Sequence, residues 1–296
     1  PLTNPAQMHG SPPLNSAEKR IGAAPWFTLA VLTFAFTVGF VDRQLLNLLV
    51  QPIKTDLGLT DIEISLLQGA AFSIAYLLMS PIFGRLVDLH SRRNLLLGCI
   101  LVWTAFTGVC GIAGSFIALF MARSMVGAAE AGLTPSAWSM LTDRFEPAKL
   151  PRAFSIYHLG TYIGSGLAMV LGGVALAWVE GQDFSSLPLL ADMKPWQTTF
   201  LLVSLLGLPC ALLVGMLIEP QRHSHKPGAA ITSPSLREAW SELWLNRAFY
   251  VPFYLGMALA IIPIYAFPAW VPATAMRQFG VSVSRVGIDY GTVSLI

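Results

Sequence analysis

Long apolar runs separated by short polar stretches dominate this chain of 296 residues. A helix needs roughly 20 apolar residues to cross the hydrocarbon layer of a bilayer. Runs of that kind cover residues 26–50, 64–84, 94–113, 115–141, 153–179, 198–218 and 248–272, and an eighth begins near residue 283. Lipid offers no hydrogen-bond partner to an open backbone, so each run is expected to be helical. The pattern predicts an all-α membrane protein.

The composition narrows the classes of function. Hydrophobic residues make up 54% of the chain and charged residues 11%, which is more apolar surface than one soluble domain can cover. The net charge of +2, with basic residues in short clusters, does not indicate nucleic-acid binding. The sequence has no HExxH, no Gly-x-Ser-x-Gly and no histidines at metal-ligand spacing. We expect no catalytic residues, no metal and no cofactor, and an enzyme or a receptor is a remote alternative.

The basic residues between the runs predict the orientation of the chain. They lie before the first run and after the second, fourth and sixth runs: Lys19, Arg20, Arg85, Arg92, Arg93, Arg144, Lys149, Arg152, Arg222, Lys226 and Arg237. The opposite loops carry mainly aspartate and glutamate. Positively charged loops stay in the cytoplasm, so we expect a multi-pass protein of the plasma membrane or bacterial inner membrane with a cytoplasmic N-terminus.

One long polar stretch divides the runs into two groups. It begins after the sixth run and ends in a helix-like segment with Trp240 and Trp244, which is typical of an interfacial helix. The predicted parts are a cytoplasmic segment 1–25, a six-helix bundle 26–218, a cytoplasmic linker 219–246 and the first helices of a second bundle, 247–296. The second bundle is expected to be incomplete in this sequence, because the last residue lies in an apolar stretch.

Ionisable side chains also occur inside the apolar runs, where each costs several kcal/mol unless it faces a cavity or a partner. They are Asp42 and Arg43 in span one, Arg123 and Glu130 in span four, and His158 in span five. At about 1.5 Å per residue, Asp42 and Arg123 are predicted to lie at a similar depth. Arg123, Gly127, Glu130 and Thr134 recur at helical spacing, which predicts one face of span four turned towards water.

A carboxylate beside an arginine is a chemical unit for proton coupling. The carboxylate stays ionised while paired, and it is protonated more easily once substrate or a conformational change draws the arginine away. We therefore predict that Asp42 and Glu130 couple transport to protons, with Arg43 and Arg123 as charge partners or anion-binding groups. The alternative is a static ion pair between spans one and four. For His158 the alternatives are a packing role and a proton relay.

Small residues recur every four positions along span five, at Gly160, Gly164, Ala168 and Gly172. This spacing is typical of close helix packing in membranes. In a transporter such a seam can also slide, but tight packing is the simpler interpretation.

The loop after span two reads Gly84-Arg-Leu-Val-Asp88-Leu-His-Ser-Arg92-Arg93. It resembles the signature loop of the major facilitator superfamily, with Ser91 in place of the usual second glycine. The resemblance implies a cytoplasmic latch in which Asp88 approaches a helix end of the other bundle and the two arginines approach nearby acids.

Further motifs carry the same resemblance. The segment 123–131 is similar to the arginine motif of span four in that family, and Gly160 with Gly164 is similar to its span-five glycine motif. Asp42-Arg43 and the run 127–132 resemble the spinster-like branch. The resemblance implies two six-helix bundles with a substrate site between them, alternating access, and a monomer that moves a small molecule with protons. The substrate would be a lysolipid or sphingoid phosphate, or in the organic anion and sugar-phosphate branches a hydrophilic anion.

Overall fold

The computed structural model describes residues 24–182, 191–222 and 236–295. The predicted N-terminal segment and most of the predicted linker lie outside these residues. Within the described part of the chain, seven helical segments are long and apolar enough to cross a membrane. These segments agree with the seven apolar runs, and their ends differ from the predicted ends by several residues.

In the described residues up to 222, the first six spans contain nine α-helices. Span one is α1 (Pro25–Leu57), and span two is α2 (Asp61–Ser65), a π-helical segment (Leu66–Ala70) and α3 (Ala71–Leu89). Span three is α4 (Arg92–Gly111), and span four is α5 (Phe116–Glu130) followed by α6 (Leu133–Arg144). A 3-10 turn (Pro147–Lys149) precedes span five, α7 (Leu150–Glu180), and span six is α8 (Pro195–Ser204) with α9 (Gly207–Gly215).

Three helices follow the sixth span within residues 236–295. A short amphipathic helix, α10 (Leu236–Leu245), leads into span seven, α11 (Arg247–Phe279), and α12 (Val283–Leu295) begins the predicted eighth span. Trp240 and Trp244 of α10 are 66% and 60% exposed, as expected for a helix whose aromatic rings face a membrane surface.

Local sequence signals explain the ends of the helices. Gly58, with a φ of +63°, ends α1 in the left-handed conformation that glycine adopts most easily. Thr60 and Glu63 form a reciprocal capping box at the start of α2. The hydroxyls of Ser91 and Ser115 accept hydrogen bonds from backbone N–H groups at the starts of α4 and α5.

Span one lies in the centre of the bundle and packs along span five. A Cβ atom on Gly164 would lie 2.6 Å from the backbone oxygen of Thr37, and one on Gly172 would lie 2.8 Å from side-chain atoms of Leu45 and Leu48. Gly160 likewise lies against Thr37 and its neighbours. The predicted small-residue seam of span five therefore faces span one, where it lets the two backbones approach closely.

Span seven and α12 lie against the six-span bundle at different places. The backbone of α12 touches span five at Gly173, because a Cβ atom on Gly287 would lie 2.9 Å from the Gly173 Cα. Span seven packs on span one through Pro272, Ala273 and Met276, which are buried, whereas residues 251–267 are exposed. The buried contacts of span seven with span one thus lie near residues 272–276, and the part of span seven before residue 268 is exposed.

Candidate functional site

A cavity of about 1020 Å³ lies between spans one, two, four and seven. Following the predicted orientation, we call the end of the bundle near residues 58–60 the outer end and the end near residues 89–91 the inner end. Span seven contributes an apolar and aromatic wall that includes Ile261, Tyr265 and Trp270. The opposite wall contains the charged side chains Arg43 and Arg123, together with several amide and hydroxyl groups.

Arg43 is the charged side chain most open to this cavity. Its Nε donates to Glu130 Oε2 at 2.6 Å, and the side chains of Arg43 and Glu130 are 17% and 0% exposed. The Arg43 guanidinium also lies 4.9, 4.5 and 5.1 Å from the ring centres of Phe40, Phe72 and Tyr76. Ion pairing and cation–π contacts together hold the guanidinium at the cavity wall.

Arg123 pairs with the acid of span one. Its Nη1 lies 4.0 Å from Asp42 Oδ1 and 3.4 Å from the Asp42 backbone oxygen. The Thr107 hydroxyl of span three donates to Asp42 Oδ2. Asp42 therefore faces spans three and six, where Thr104 and Ser204 also lie. The two ion pairs cross between the helices, because each acid binds the arginine of the other span.

The arrangement corrects one prediction. Span four was expected to turn a continuous polar stripe towards water, but Arg123 is the member of the stripe that borders the cavity, and Glu130 is fully enclosed. Span four is also interrupted at residues 131–132, directly after Glu130. The stripe packs against spans one and two because its small residue, Gly127, lets another backbone come close.

The contact at Gly127 positions an aromatic ring between the arginines. A Cβ atom on Gly127 would lie 2.4 Å from the backbone oxygen of Phe72, so only glycine fits there. The Phe72 ring centre lies 4.5 Å from the Arg43 guanidinium and 5.7 Å from that of Arg123. Sequence reasoning missed Phe72, since an aromatic residue in an apolar run carries no signal of its own.

Three carboxamides on the same wall were also missed. Gln44 and Asn47 follow Arg43 on span one, and Gln68 lies in the π-helical segment of span two. A signal was available, because uncharged polar residues inside apolar runs are unusual and π-helical turns often occur at functional sites.

His158 lies outside this cavity. It is exposed on span five, and its ring makes edge contacts with Phe36, Trp138 and Tyr157 at centroid distances of 5.3 to 5.8 Å. It has no hydrogen-bond partner among the described residues. These contacts favour the packing interpretation of His158.

At the inner end, Arg92 joins three parts of the chain. Its Nε donates to Glu219 Oε1 at 2.8 Å, its Nη1 pairs with Asp143, and its Nη2 donates to the Pro220 oxygen at 2.7 Å. Glu219 in turn accepts hydrogen bonds from the backbone N–H groups of Arg92 and Arg93. Glu219, which the sequence analysis did not single out, therefore caps the start of α4.

Other members of the predicted latch behave differently. The Arg93 side chain contacts Asn94 and the backbone oxygen of Leu217, so its expected contact with an acid is not formed in this structure and stays a prediction. Asp88 is exposed, and its carboxylate has no partner in the part of the chain that the structure describes. A Cβ atom on Gly84 would meet no described atom within 4 Å. The predicted loop 84–93 is shorter in the structure, because Gly84 and Asp88 belong to the last turns of α3 and α4 begins at Arg92.

At the outer end, spans one, two and seven are joined by charged side chains. Arg277 Nη2 and Lys54 Nζ each lie 2.7 Å from Asp61 Oδ1, and Arg277 Nε donates to Gln51 Oε1 at 3.0 Å. These contacts join the three spans at the outer end. Residues 251–267 of span seven, towards the inner end, are exposed.

A helical membrane bundle with a charged cavity between two groups of spans defines a class of transport proteins. The family description Major Facilitator Superfamily matches residues 12–296, and the chain belongs to this family. The predicted family resemblance is confirmed. The family moves small molecules across membranes and does not consist of enzymes.

Known proteins support the same assignment. A crystal structure of a bacterial homologue of the human lysosomal transporter spinster, inward-facing and unoccupied, is 29% identical with a TM-score of 0.78, and the match covers 92% of this chain and 60% of that chain. An MFS-type efflux pump of Mycolicibacterium smegmatis is 27% identical over 90% of this chain and 58% of the relative. A hexuronate transporter of Bacillus subtilis is 23% identical over 88% of this chain and 59% of the relative. The chain thus spans less than two thirds of the length of these proteins.

Proposed function

We propose that the protein containing this chain is a proton-coupled secondary transporter that moves an amphiphilic or organic anion by alternating access. The observation that carries the proposal is the Arg43–Glu130 pair, in which the arginine borders the cavity and the acid is enclosed behind it. An anion that enters the cavity meets the cation first. The carboxylate is reached only through a change in that ion pair.

The coupling follows from competition for Arg43. A substrate anion that binds the guanidinium weakens its bond to Glu130, and an ionised carboxylate without a partner is costly in a dry site. Glu130 then takes a proton from the aqueous side, and it returns the proton when the anion leaves and the ion pair forms again. Asp42 and Arg123 form a second pair of the same kind, and the Thr107 hydroxyl donates a hydrogen bond to Asp42.

Alternating access needs a seal at each end that can break. In the inward-open state the outer seal consists of Arg277, Asp61, Lys54 and Gln51. In the opposite state we propose that the loop 84–93 closes the inner end, with Asp88 meeting a helix start of the second bundle. We also propose that the protein is monomeric and has a cytoplasmic N-terminus in the plasma membrane or bacterial inner membrane.

Two substrate classes fit the cavity. A spinster-like substrate, a lysolipid or lipid phosphate, is supported by the apolar wall of span seven and by an adjoining pocket of about 320 Å³ that includes Phe40, Tyr162 and Phe267. A hydrophilic organic anion or sugar phosphate is supported by the amide groups of the opposite wall and by the similarity to a hexuronate transporter.

The test uses the full-length protein in liposomes that contain a pH-sensitive dye. Lipid phosphates and lysolipids form one panel, and sugar acids and sugar phosphates form the other. We expect proton movement with one panel, lost in Glu130→Gln and in Asp42→Asn but kept in Glu146→Gln, which changes an exposed acid on the inner loop. Substrate uptake without proton movement would contradict the role of both carboxylates.

A further inference from the structure

The cavity wall contains a polar region that is separate from the arginines. Asn47 Nδ2 donates to Gln44 Oε1 at 2.5 Å, and Gln68 Nε2 donates to Asn47 Oδ1 at 2.9 Å. All three side chains line the cavity. We call them the carboxamide row.

The row has hydrogen-bonding groups that no described residue uses. A carboxamide carries two N–H donors and an oxygen that can accept twice. Gln44 is 5% exposed, and neither of its N–H groups has a partner among the described residues. Asn47 is 8% exposed and uses one of its two N–H groups. These N–H groups border the cavity, and polar groups in such a place are normally satisfied, so a ligand in the cavity is a natural partner for them.

A purely structural role explains only part of the row. Gln68 also donates to the backbone oxygen of Ala269 in span seven at 3.2 Å, so it links the two groups of spans. That contact accounts for both N–H groups of Gln68. It does not account for Gln44, which lies at the other end of the row and also lines the adjoining pocket.

The carboxamide row lies next to Arg43, the side chain proposed to bind the anion. Arg43 and Asn47 are four residues apart on one helix, so they share a face and their Cβ atoms are about 6 Å apart. Gln44 follows Arg43 directly in the sequence. An anionic group held by Arg43 therefore places the neighbouring atoms of its own molecule beside the row.

We propose that the carboxamide row is a subsite for hydroxyl groups next to the anionic group of the substrate, which makes the substrate a hydroxylated anion. A hydroxyl oxygen accepts from Gln44 or Asn47. Sugar acids and sugar phosphates have this chemistry, and so do glycerol- and sphingoid-phosphate lipids. The inference rests on the proposed function, because it needs an anion at Arg43.

The test measures binding to the purified full-length protein with two matched pairs of ligands. Glucuronate is compared with tetrahydropyran-2-carboxylate, which keeps the ring and the carboxylate but lacks the hydroxyls, and a lysophosphatidic acid is compared with the analogue that lacks its glycerol hydroxyl. We expect the hydroxylated member of one pair to bind at least about tenfold more tightly, since losing one such hydrogen bond leaves polar groups unsatisfied. The pair whose two members differ in affinity shows whether the hydroxylated anion is a sugar derivative or a lipid phosphate.

Substitutions test whether the difference in affinity arises from the carboxamide row. Gln44→Met keeps the length of the side chain and should make both members of the discriminating pair bind alike, whereas Gln197→Met, at the outer end of span six, should leave the difference unchanged. A difference that survives in Gln44→Met overturns the assignment to the row. If Gln44→Met does not fold, Asn47→Leu, which removes the other free N–H donor of the row, is tested in the same way and with the same two outcomes.

The two proposals fail in different ways. Equal binding within both pairs overturns the hydroxyl subsite and leaves the anion transporter standing. No binding of any of the four anions contradicts the proposed function itself.

Discussion

Arg43 Nε and Glu130 Oε2 lie 2.6 Å apart, although 87 residues separate them in the sequence and only Arg43 reaches the cavity. The contact joins span one to span four directly before the interruption of span four. The two side chains differ in exposure, so a ligand in the cavity can reach Arg43 but not Glu130.

Replacing Arg43 by lysine should weaken substrate binding by about tenfold or more. A lysine keeps the charge, but its ammonium cannot lie flat against Phe40, Phe72 and Tyr76 while it also bonds to Glu130. The measurement is a binding isotherm for the transported anion. Arg85→Lys, at an exposed position near the inner end of α3, is the matched control and should bind normally. An unchanged affinity in Arg43→Lys would show that charge alone suffices.

Replacing Gly127 by alanine should destabilise the protein by about 1 to 3 kcal/mol, because the new methyl group overlaps the Phe72 backbone and forces spans two and four apart. The measurement is thermal unfolding in detergent. Gly98→Ala changes a helical glycine of span three that has no described atom near its Cβ position, so it should be neutral or slightly stabilising. Similar midpoints for the two variants would contradict the close contact.

Glu219→Gln should lower the unfolding midpoint at pH 7 by about 2 °C or more, since the amide replaces an ionised cap of α4. Partial burial opposes ionisation, but hydrogen bonds from Arg93, Arg92 and Ser91 lower the pKa of Glu219 below its usual 4.5. A lowered pKa stabilises the folded state above the unfolded-state value, and the contribution is lost as the pH falls through the folded-state value.

The difference between Glu219→Gln and the unaltered protein should therefore shrink as the pH is lowered below 4.5. Glu146→Gln, which removes an exposed acid near the same end, should show little change at either pH. A midpoint difference that stays constant with pH would mean that the charge of Glu219 does not stabilise the fold.

Arg277→Gln should shift the conformational balance towards the outward-open state, because it removes the contacts of span seven with Asp61 and Gln51. Exposed ion pairs contribute roughly 0.2 to 1 kcal/mol, so the change in population should be about fivefold at most. The measurement is the distance between spectroscopic labels at the outer ends of spans one and seven. Arg285→Gln removes an exposed pair within α12 and should leave this distance distribution unchanged.

The spans, the buried charges and the signature loop could be predicted from the sequence, since long apolar runs and the exceptions within them are local patterns. The ion pairing could not be predicted in full. Asp42 and Arg43 are adjacent, so they point about 100° apart on the helix, and only the packing decides which neighbour each one meets. The role of Glu219 could not be predicted for a related reason, because it caps a helix more than 120 residues earlier in the chain.

The crossed pairs have an electrical consequence. Asp42, Arg43, Arg123 and Glu130 together carry no net charge when all four are ionised. When one proton and one monovalent anion are bound, the total charge of the four residues, the proton and the anion is still zero. Moving one unbalanced charge across a membrane changes the free energy by about 2.3 kcal/mol per 100 mV. A carrier built on these four residues therefore reorients with such a pair of ions without work against the membrane voltage, and its rate should be the same in polarised and depolarised vesicles.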